Sequence, residues 1–322
     1  MKLQFIVSDQ TNPYWNIAVE NYLVERDEGA NYQGKADCVV LYLWKNRRTV
    51  VIGQNQNPFS EVNVDALEAD GGYLMRRRTG GGAVYHDDGN LNFSFVAPKA
   101  LYDQQRQFRV IQHAVESFGL HTELSGRNDI LAEGRKFSGN AFSKGQKNDL
   151  HHGTLLISGD MSDLARYLKP KPAKLQKHGV QSVRSRVVNL AELNPEITPE
   201  SIAPRLRAAF EGVYGGCAEE VPFEDVIRRP EVRRLYEEFA SDEWKYGKWK
   251  TFIAQRSAQF DWGGVELSLT IEDDIIRDVQ LASDALDLAA LDEARRLLTG
   301  ADIKKRPPTE SAIVNDILSL VY

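Results

Sequence analysis

The chain has 322 residues, 42% of them apolar and 27% charged, with a formal net charge of −6. That composition belongs to an ordinary soluble globular protein with room for two domains, and the acidic balance argues against broad nucleic-acid binding. No apolar run approaches a membrane span, the first residues are too short and polar for a signal peptide, and Cys38 and Cys217 make no disulfide framework. A cytoplasmic protein with reduced thiols is therefore expected.

In chain order, Leu3–Val7 reads as a strand, and Thr11-Asn12-Pro13 starts a helix with proline at its first position. Trp15, Ala18, Val19, Tyr22 and Leu23 then mark one buried helical face, with Trp15 and Tyr22 expected in the core. Val39–Leu43 and Val50–Ile52 read as strands, and Phe108, Ile111, Val115 and Phe118, closed by Gly119, as a second amphipathic helix. Further helices fit Leu164–Leu168, Ile202–Val213 and Val232–Phe239. Around Ser241–Thr251 the pattern resets. Val265, Leu267, Leu269 and Ile271 then alternate as a strand, Glu272-Asp273-Asp274 turns into Ile275–Leu281, and short helices follow around Leu288–Leu298 and Ile313–Leu320. The implied fold class is α+β. It comprises a large domain of mixed, mainly antiparallel sheets flanked by helices over 1–243, and a small α+β domain over 244–322.

The most informative stretch is Arg76-Arg77-Arg78-Thr79-Gly80-Gly81-Gly82-Ala83-Val84-Tyr85-His86. Three glycines leave backbone N–H groups open to an anion, and arginines supply forked donors for carboxylate or phosphate oxygens. Asp88-Gly89-Asn90 is a turn signal, after which Leu91, Phe93 and Phe95 alternate with Asn92 and Ser94. The stretch reads as a strand–loop–strand anion cradle, the alternative being a tight hairpin with solvated arginines. It has neither Rossmann nor Walker spacing.

A second stretch, Gly126 to Ala141, carries Glu133-Gly134 as a hairpin tip. Strand alternation then places Lys136, Ser138 and Asn140 on one face and Arg135, Phe137 and Gly139 on the other. That stripe fits a phosphate wall or a solvent-facing strand. Between Asp163 and Glu192 there is no acidic residue but seven lysines and arginines, from Arg166 to Arg186. Such a loop suits a nucleotide's phosphates or plain solvent.

Taken together, RRRTGGGAVYHDDGN, GRNDI, GRKFSGNA, HHGTLL and SVRSRVVNL resemble, in order and spacing, the lipoate–protein ligases of the biotin/lipoate ligase superfamily. The resemblance implies an ATP-dependent enzyme that joins lipoate or octanoate to AMP, releasing pyrophosphate. It then passes the acyl group to a lysine of lipoyl carrier domains, on 2-oxoacid dehydrogenase E2 subunits or glycine cleavage H protein. By the same resemblance Lys136 is the catalytic residue on which the lipoyl carboxyl and the phosphate converge. Arg77, Gly82, Ala83, Val84, Tyr85 and Asp129 bind ATP or the adenylate, Lys136, Gly81, Gly82 and His152 bind lipoate, and Lys169–Arg186 closes over the intermediate. Magnesium is expected at Asp129 if at any protein group, with Asn128 orienting it, although an Asn-Asp pair also caps turns. His151-His152 fits either a general base for the carrier amine or structural strand histidines. The protein is expected to be a monomer with no nucleic-acid or membrane partner. An ATP-independent transferase of the same fold would need a cysteine nucleophile in the core motifs, and neither cysteine is there. A biotin ligase would carry a different glycine-arginine loop, and a non-catalytic binder would have no need of an intact Lys136.

Overall fold

Asparagine before proline sets up the first helix as expected. In the computed structural model, β1 (Lys2–Val7) leads to α1 (Pro13–Glu25), whose cap Asn12 accepts a hydrogen bond from the Tyr14 N–H at 2.9 Å. The structure describes residues 1–26, 38–54, 56, 58–126, 128–169, 187–246, 252–272, 274–283, 285 and 287–322. The one-faced reading of α1 needs correction: it is buried on nearly every side, polar Asn16, Glu20 and Asn21 included. Tyr22 lies in the core, whereas Trp15 is half-buried and stacks on Tyr236, ring centroids 4.0 Å apart.

The chain continues through β2 (Cys38–Trp44), β3 (Thr49–Ile52), α2 (Pro58–Glu61), α3 (Val64–Ala69), β4 (Tyr73–Arg76), β5 (Val84–His86) and β6 (Asn90–Pro98). Next come α4 (Gln104–Glu116), β7 (Thr122–Ser125), β8 (Asp129–Ala132), β9 (Arg135–Lys144), β10 (Asn148–Leu156) and α5 (Met161–Tyr167). After residues outside the description follow α6 (Leu190–Leu193), α7 (Pro199–Tyr214), β11 (Ala218–Glu220), α8 (Phe223–Ile227), α9 (Pro230–Ala240) and α10 (Asp242–Tyr246). Gly119, at φ 83°, follows the second predicted helix, where only glycine turns the chain without strain.

An eight-stranded sheet runs β11-β1-β2-β6-β10-β9-β8-β7. Its β1 pairs with β11 and β2 in parallel, and the remaining pairs are antiparallel, so the sheet is mixed and mainly antiparallel, as the sequence implies. One face packs Phe93, Phe95, Ile130 and Phe137 against Ile111 of α4 and Phe210 of α7. The other packs Val40, Tyr42 and Val96 against α1 and α9, and a small sheet of order β4-β3-β5 joins this side through Val51 and Met75. Placing β3 between β4 and β5 keeps the glycine stretch from being a hairpin: it connects two outer strands of one small sheet.

The chain divides into two compact units, residues 1–245 and 246–322. The second holds β12 (Phe252–Phe260), β13 (Gly263–Glu272) and β14 (Ile275–Ser283) in one antiparallel sheet, with α11 (Leu288–Leu298) and α12 (Ala312–Leu318). Val265, Leu267, Leu269 and Ile271 of β13 form its core with residues of both helices. No helix among the described residues is long and apolar enough to cross a membrane.

Candidate active site

The three arginines are alike in sequence and separate completely in space. Arg76 is buried and gives its guanidinium to the backbone carbonyls of Gly53, Gln54, Gln56, Trp244 and Lys245. Arg78 points elsewhere, pairing with Glu25 and with Glu238 (2.7 Å) and lying over the Phe239 ring. Arg77 alone of the three lines the cavity that Lys136 and the glycine loop share. It closes the glycine loop from inside, donating to Gly80 O (2.8 Å), Gly82 O (2.9 Å) and Thr79 Oγ1 (3.0 Å). Burial lowers its pKa to about 10, with Glu20 acting the other way. Gly81 has φ 102°, and a Cβ on Gly53 would sit 2.4 Å from Gly81 O, so both positions require glycine.

Behind Arg77 runs a buried chain of hydrogen bonds. Thr79 Oγ1 is 2.9 Å from His152 Nε2, and His152 Nδ1 is 2.9 Å from Glu20 Oε2. Ser94 Oγ also donates to that carboxylate oxygen (2.5 Å) and itself accepts from Trp44 Nε1 (3.0 Å). With a neutral His152 ring every link has one donor and one acceptor, all directed toward Glu20. Glu20, 1% exposed, thus anchors both Arg77 and Trp44. Its neighbour His151 serves the opposite face, between Gln107 Oε1 (3.0 Å) and Asn140 Oδ1 (2.9 Å), and burial holds its pKa well down. His151 does not line the cavity, whereas His152 does.

The β8–β9 hairpin turns at Glu133 (φ 49°) and Gly134 (φ 74°), as expected. The expected alternation along β9 fails. Ile130 faces Ser138 while Leu131 faces Lys136, so Phe137 is an extra residue in β9 and the pleat changes phase there. Phe137 enters the core, Ser138 is fully buried beside Asn140, and Lys136 shares its side with Gly139, where a Cβ would come within 3.2 Å of Lys136 Nζ. The bulge moves Lys136 off the Ser138–Asn140 stripe and into the cavity.

Lys136 Nζ pairs with Asp129 Oδ1 at 2.7 Å, the two side chains being 36% and 32% exposed. Asn128 and Asn140 lock the neighbouring strands, each side-chain amide donating to the other's backbone carbonyl (2.9 and 3.0 Å). Val188 N donates to Lys136 O at 2.9 Å, bringing the end of the SVRSRVVNL stretch alongside. Lys169 donates to Phe59 O (2.8 Å), while 170–186 of the basic loop fall outside the described residues.

The cavity that joins these groups measures about 400 Å³. Gly81, Gly82, Ala83, Val84, Tyr85, Arg77, Lys136 and His152 all line it, and Asp129 reaches it through Lys136. Helix α5 covers one side with Leu164, and Tyr85 OH donates to Asp163 Oδ2 of that helix (3.0 Å); burial, and then this bond, raise the tyrosine's pKa. Apolar Ile17, Trp44, Val51 and Met75 also line the cavity. Sequence reading leaves these four unnamed because they come from four separate elements and each looks like ordinary core. Glu20, an acid directly after Ile17-Ala18-Val19, is a signal the sequence offers. Among the described residues no three His, Cys, Asp or Glu side chains cluster as metal ligands.

Residues 12–211 match the family model of the lipoyl protein ligase A/B catalytic domain, and 250–307 match that of the bacterial lipoate protein ligase C-terminus. The chain is 39% identical to a lipoate-protein ligase A of Psychrobacter cryohalolentis, over 94% of this chain and 89% of that protein. Among solved structures it resembles P. falciparum LipL1 in complex with lipoate (30% identity, 98% of each chain, TM-score 0.68). A second is the bipartite lipoate protein ligase of Thermoplasma acidophilum, described with its E2 lipoyl domain (26% identity, 77% of this chain and 97% of that one, TM-score 0.65). The motif resemblance, the mixed sheet and the matches over both units agree: this chain belongs to the lipoate–protein ligase family.

Proposed function

We propose that this cavity carries out both half-reactions of an ATP-dependent lipoate–protein ligase, with Lys136 as the catalytic residue. The observation that carries the reading is the cavity's mixed lining. A lysine that is one-third exposed and the glycine loop share it with apolar Ile17, Trp44, Val51 and Met75. An acyl acid enters tail first, leaving its carboxylate beside the ammonium. A carboxylate oxygen attacks the α-phosphorus, the bond to pyrophosphate breaks, and the acyl-adenylate forms. Two anions must approach for that step, and a compact ammonium between them offsets the repulsion. In the second step the carrier lysine's neutral amine attacks the acyl carbonyl carbon, AMP leaves, and the proton lost from nitrogen passes to solvent.

Residues Gly82 to Tyr85 would lie along the adenylate, with Arg77 holding their loop. Magnesium fits as an ion brought by the phosphates with Asp129 as a protein carboxylate; when bound it would neutralise phosphate charge. The partner is a lipoyl domain, of the kind named for the Thermoplasma relative. Residues 1–243 serve as the catalytic domain and 244–322 as an accessory domain. The enzyme is read as a cytoplasmic monomer, and the two free cysteines suit a reducing compartment.

The test is to incubate the enzyme with lipoate, ATP, magnesium and an apo lipoyl domain and to weigh the domain. A lipoyl mass gain on one lysine that needs ATP, and persists in Cys38→Ser/Cys217→Ser, is expected. Cys38 is buried in β2, Cys217 is exposed, and neither lines the cavity. Transfer without ATP that vanishes in the double variant would overturn the ligase reading.

A further inference from the structure

The floor of the cavity holds polar atoms that the described residues leave without partners. Asn90 and Asn92 share one face of β6, are each 1% exposed, and both line the cavity. Asn90 Nδ2 donates to Asn92 Oδ1 at 3.0 Å, which leaves Asn92 Nδ2 and Asn90 Oδ1 unpartnered among the described residues. His86, 3% exposed on β5, adds another. Its Nδ1 lies 3.2 Å from Asn46 Nδ2, and Asn46 Oδ1 already accepts from Asn16 Nδ2 at 3.0 Å. Nδ1 is therefore an acceptor, and the proton of the neutral ring sits on Nε2, an unpartnered donor in a side chain that lines the cavity.

The register locates these donors along an acyl chain. Asn92 is the cross-strand neighbour of Trp44 on one side and of Thr154 on the other. Gly139 N donates to Thr154 Oγ1 at 3.4 Å, and Gly139 is the residue against Lys136 Nζ. With strands ~4.8 Å apart, Asn92 lies one spacing from Trp44 and about 10 Å from Gly139. Five bonds separate a lipoyl carboxyl carbon from its ring, about 6 Å at the ~1.2 Å per bond of an extended chain, and a sulfur follows. A carboxylate held at Lys136 therefore brings the dithiolane over Asn92, next to the Trp44 and His86 rings, which meet edge to face at 6.2 Å.

We propose that Asn92 Nδ2 and His86 Nε2 read the dithiolane sulfurs and make this site prefer lipoate over straight-chain octanoate. This rests on the ligase reading above with the acyl carboxyl at Lys136. Sulfur accepts weak hydrogen bonds and packs well against aromatic rings, and a methylene chain supplies no acceptor at all. An aliphatic tail leaves the two buried donors dry and unpaired, an omission that costs roughly a five- to hundredfold factor per group.

The experiment compares kcat/KM for pyrophosphate release with lipoate and with octanoate in the wild type, Asn92→Leu and Asn92→Ser. The wild type is expected to favour lipoate about tenfold or more. Asn92→Leu lowers that ratio about fivefold, mainly by improving octanoate, and Asn92→Ser, which keeps a donor, retains most of it. Should Leu not be accommodated, Asn92→Val reports the same ratio. A wild-type ratio within about twofold of one, or a ratio unmoved by Asn92→Leu or Asn92→Val, overturns the proposal. Failure of the wild type to adenylate either acid would instead overturn the ligase reading, so the two failures are distinct.

Discussion

Two cations face the same cavity and are held in opposite ways. Lys136 is partly exposed and tied by one ion pair to Asp129, itself partly exposed. Arg77 is buried, bonded mostly to neutral carbonyls, with its nearest balancing charge reached through Thr79 and His152 at Glu20. A partly solvated ion pair is worth little and is easily remade, whereas a buried hydrogen-bonded charge is costly to disturb. Lys136 is accordingly the cation that can exchange its partner for a reacting one, and Arg77 is the fixed frame that holds the glycine loop in shape.

The largest effect that sharpens this contrast comes from the far end of the frame. Glu20→Ala removes the shared acceptor of His152 and Ser94, and should cost about 3–5 kcal/mol of folding stability. Urea unfolding would measure it; a change under about 1 kcal/mol would show that the buried chain does not brace the loop.

Acid should loosen the same side of the cavity. Burial, then the charge of Arg77 and then His152, lower the pKa of His86 from its ordinary 6.5 to about 3. Because the folded value is the lower one, the unfolded chain takes up the proton first. The contribution is therefore full above pH 6.5 and is lost as pH falls toward 3. Over the first 1.5 pH units that is about 2 kcal/mol, at 1.36 kcal/mol per unit. A His86→Gln variant should show a shallower decline of Tm from pH 6.5 to 5; an identical slope would assign the acid lability to other groups.

The smallest effect belongs to Arg78, the arginine that serves neither role. Its ion pairs are about one-third exposed, so Arg78→Ala should cost about 1 kcal/mol or less. Adenylation should stay near wild type, measured by pyrophosphate release. A loss of activity as deep as that of Arg77→Ala would erase the distinction among the three arginines.

Much of the site was legible in the sequence because its polar half sits in contiguous motifs. RRRTGGGAVY and GRKFSGNA each carry several lining residues on one short stretch. Choosing Arg77 over its two neighbours was beyond strand alternation, since β4 ends at Arg76 and the next two side chains take their directions from how the chain leaves the strand. The pleat phase at Lys136 was hidden as well: a bulge at Phe137 leaves no mark in a two-residue repeat. The apolar half was invisible for a different reason. Ile17, Trp44, Val51 and Met75 are ordinary core residues in their own elements, and only the tertiary packing leaves one side of each facing a cavity. The fold class followed from hairpins without βαβ alternation, whereas β12 and the short β7 and β11 carried too little periodicity to be seen.

The most direct test of the account is ATP–pyrophosphate exchange driven by lipoate, compared between wild type, Lys136→Ala and Lys136→Arg. Removing the ammonium should lower exchange about 10²–10³-fold, the range for losing one preorganised charge-stabilising group. Because the Lys136–Asp129 pair is partly exposed, melting should shift by only a few degrees. Arginine should restore little, since a planar fork does not replace a compact ammonium between two oxygens. Exchange by folded Lys136→Ala at a rate near wild type would contradict the claim that Lys136 is the cation at the reacting centre.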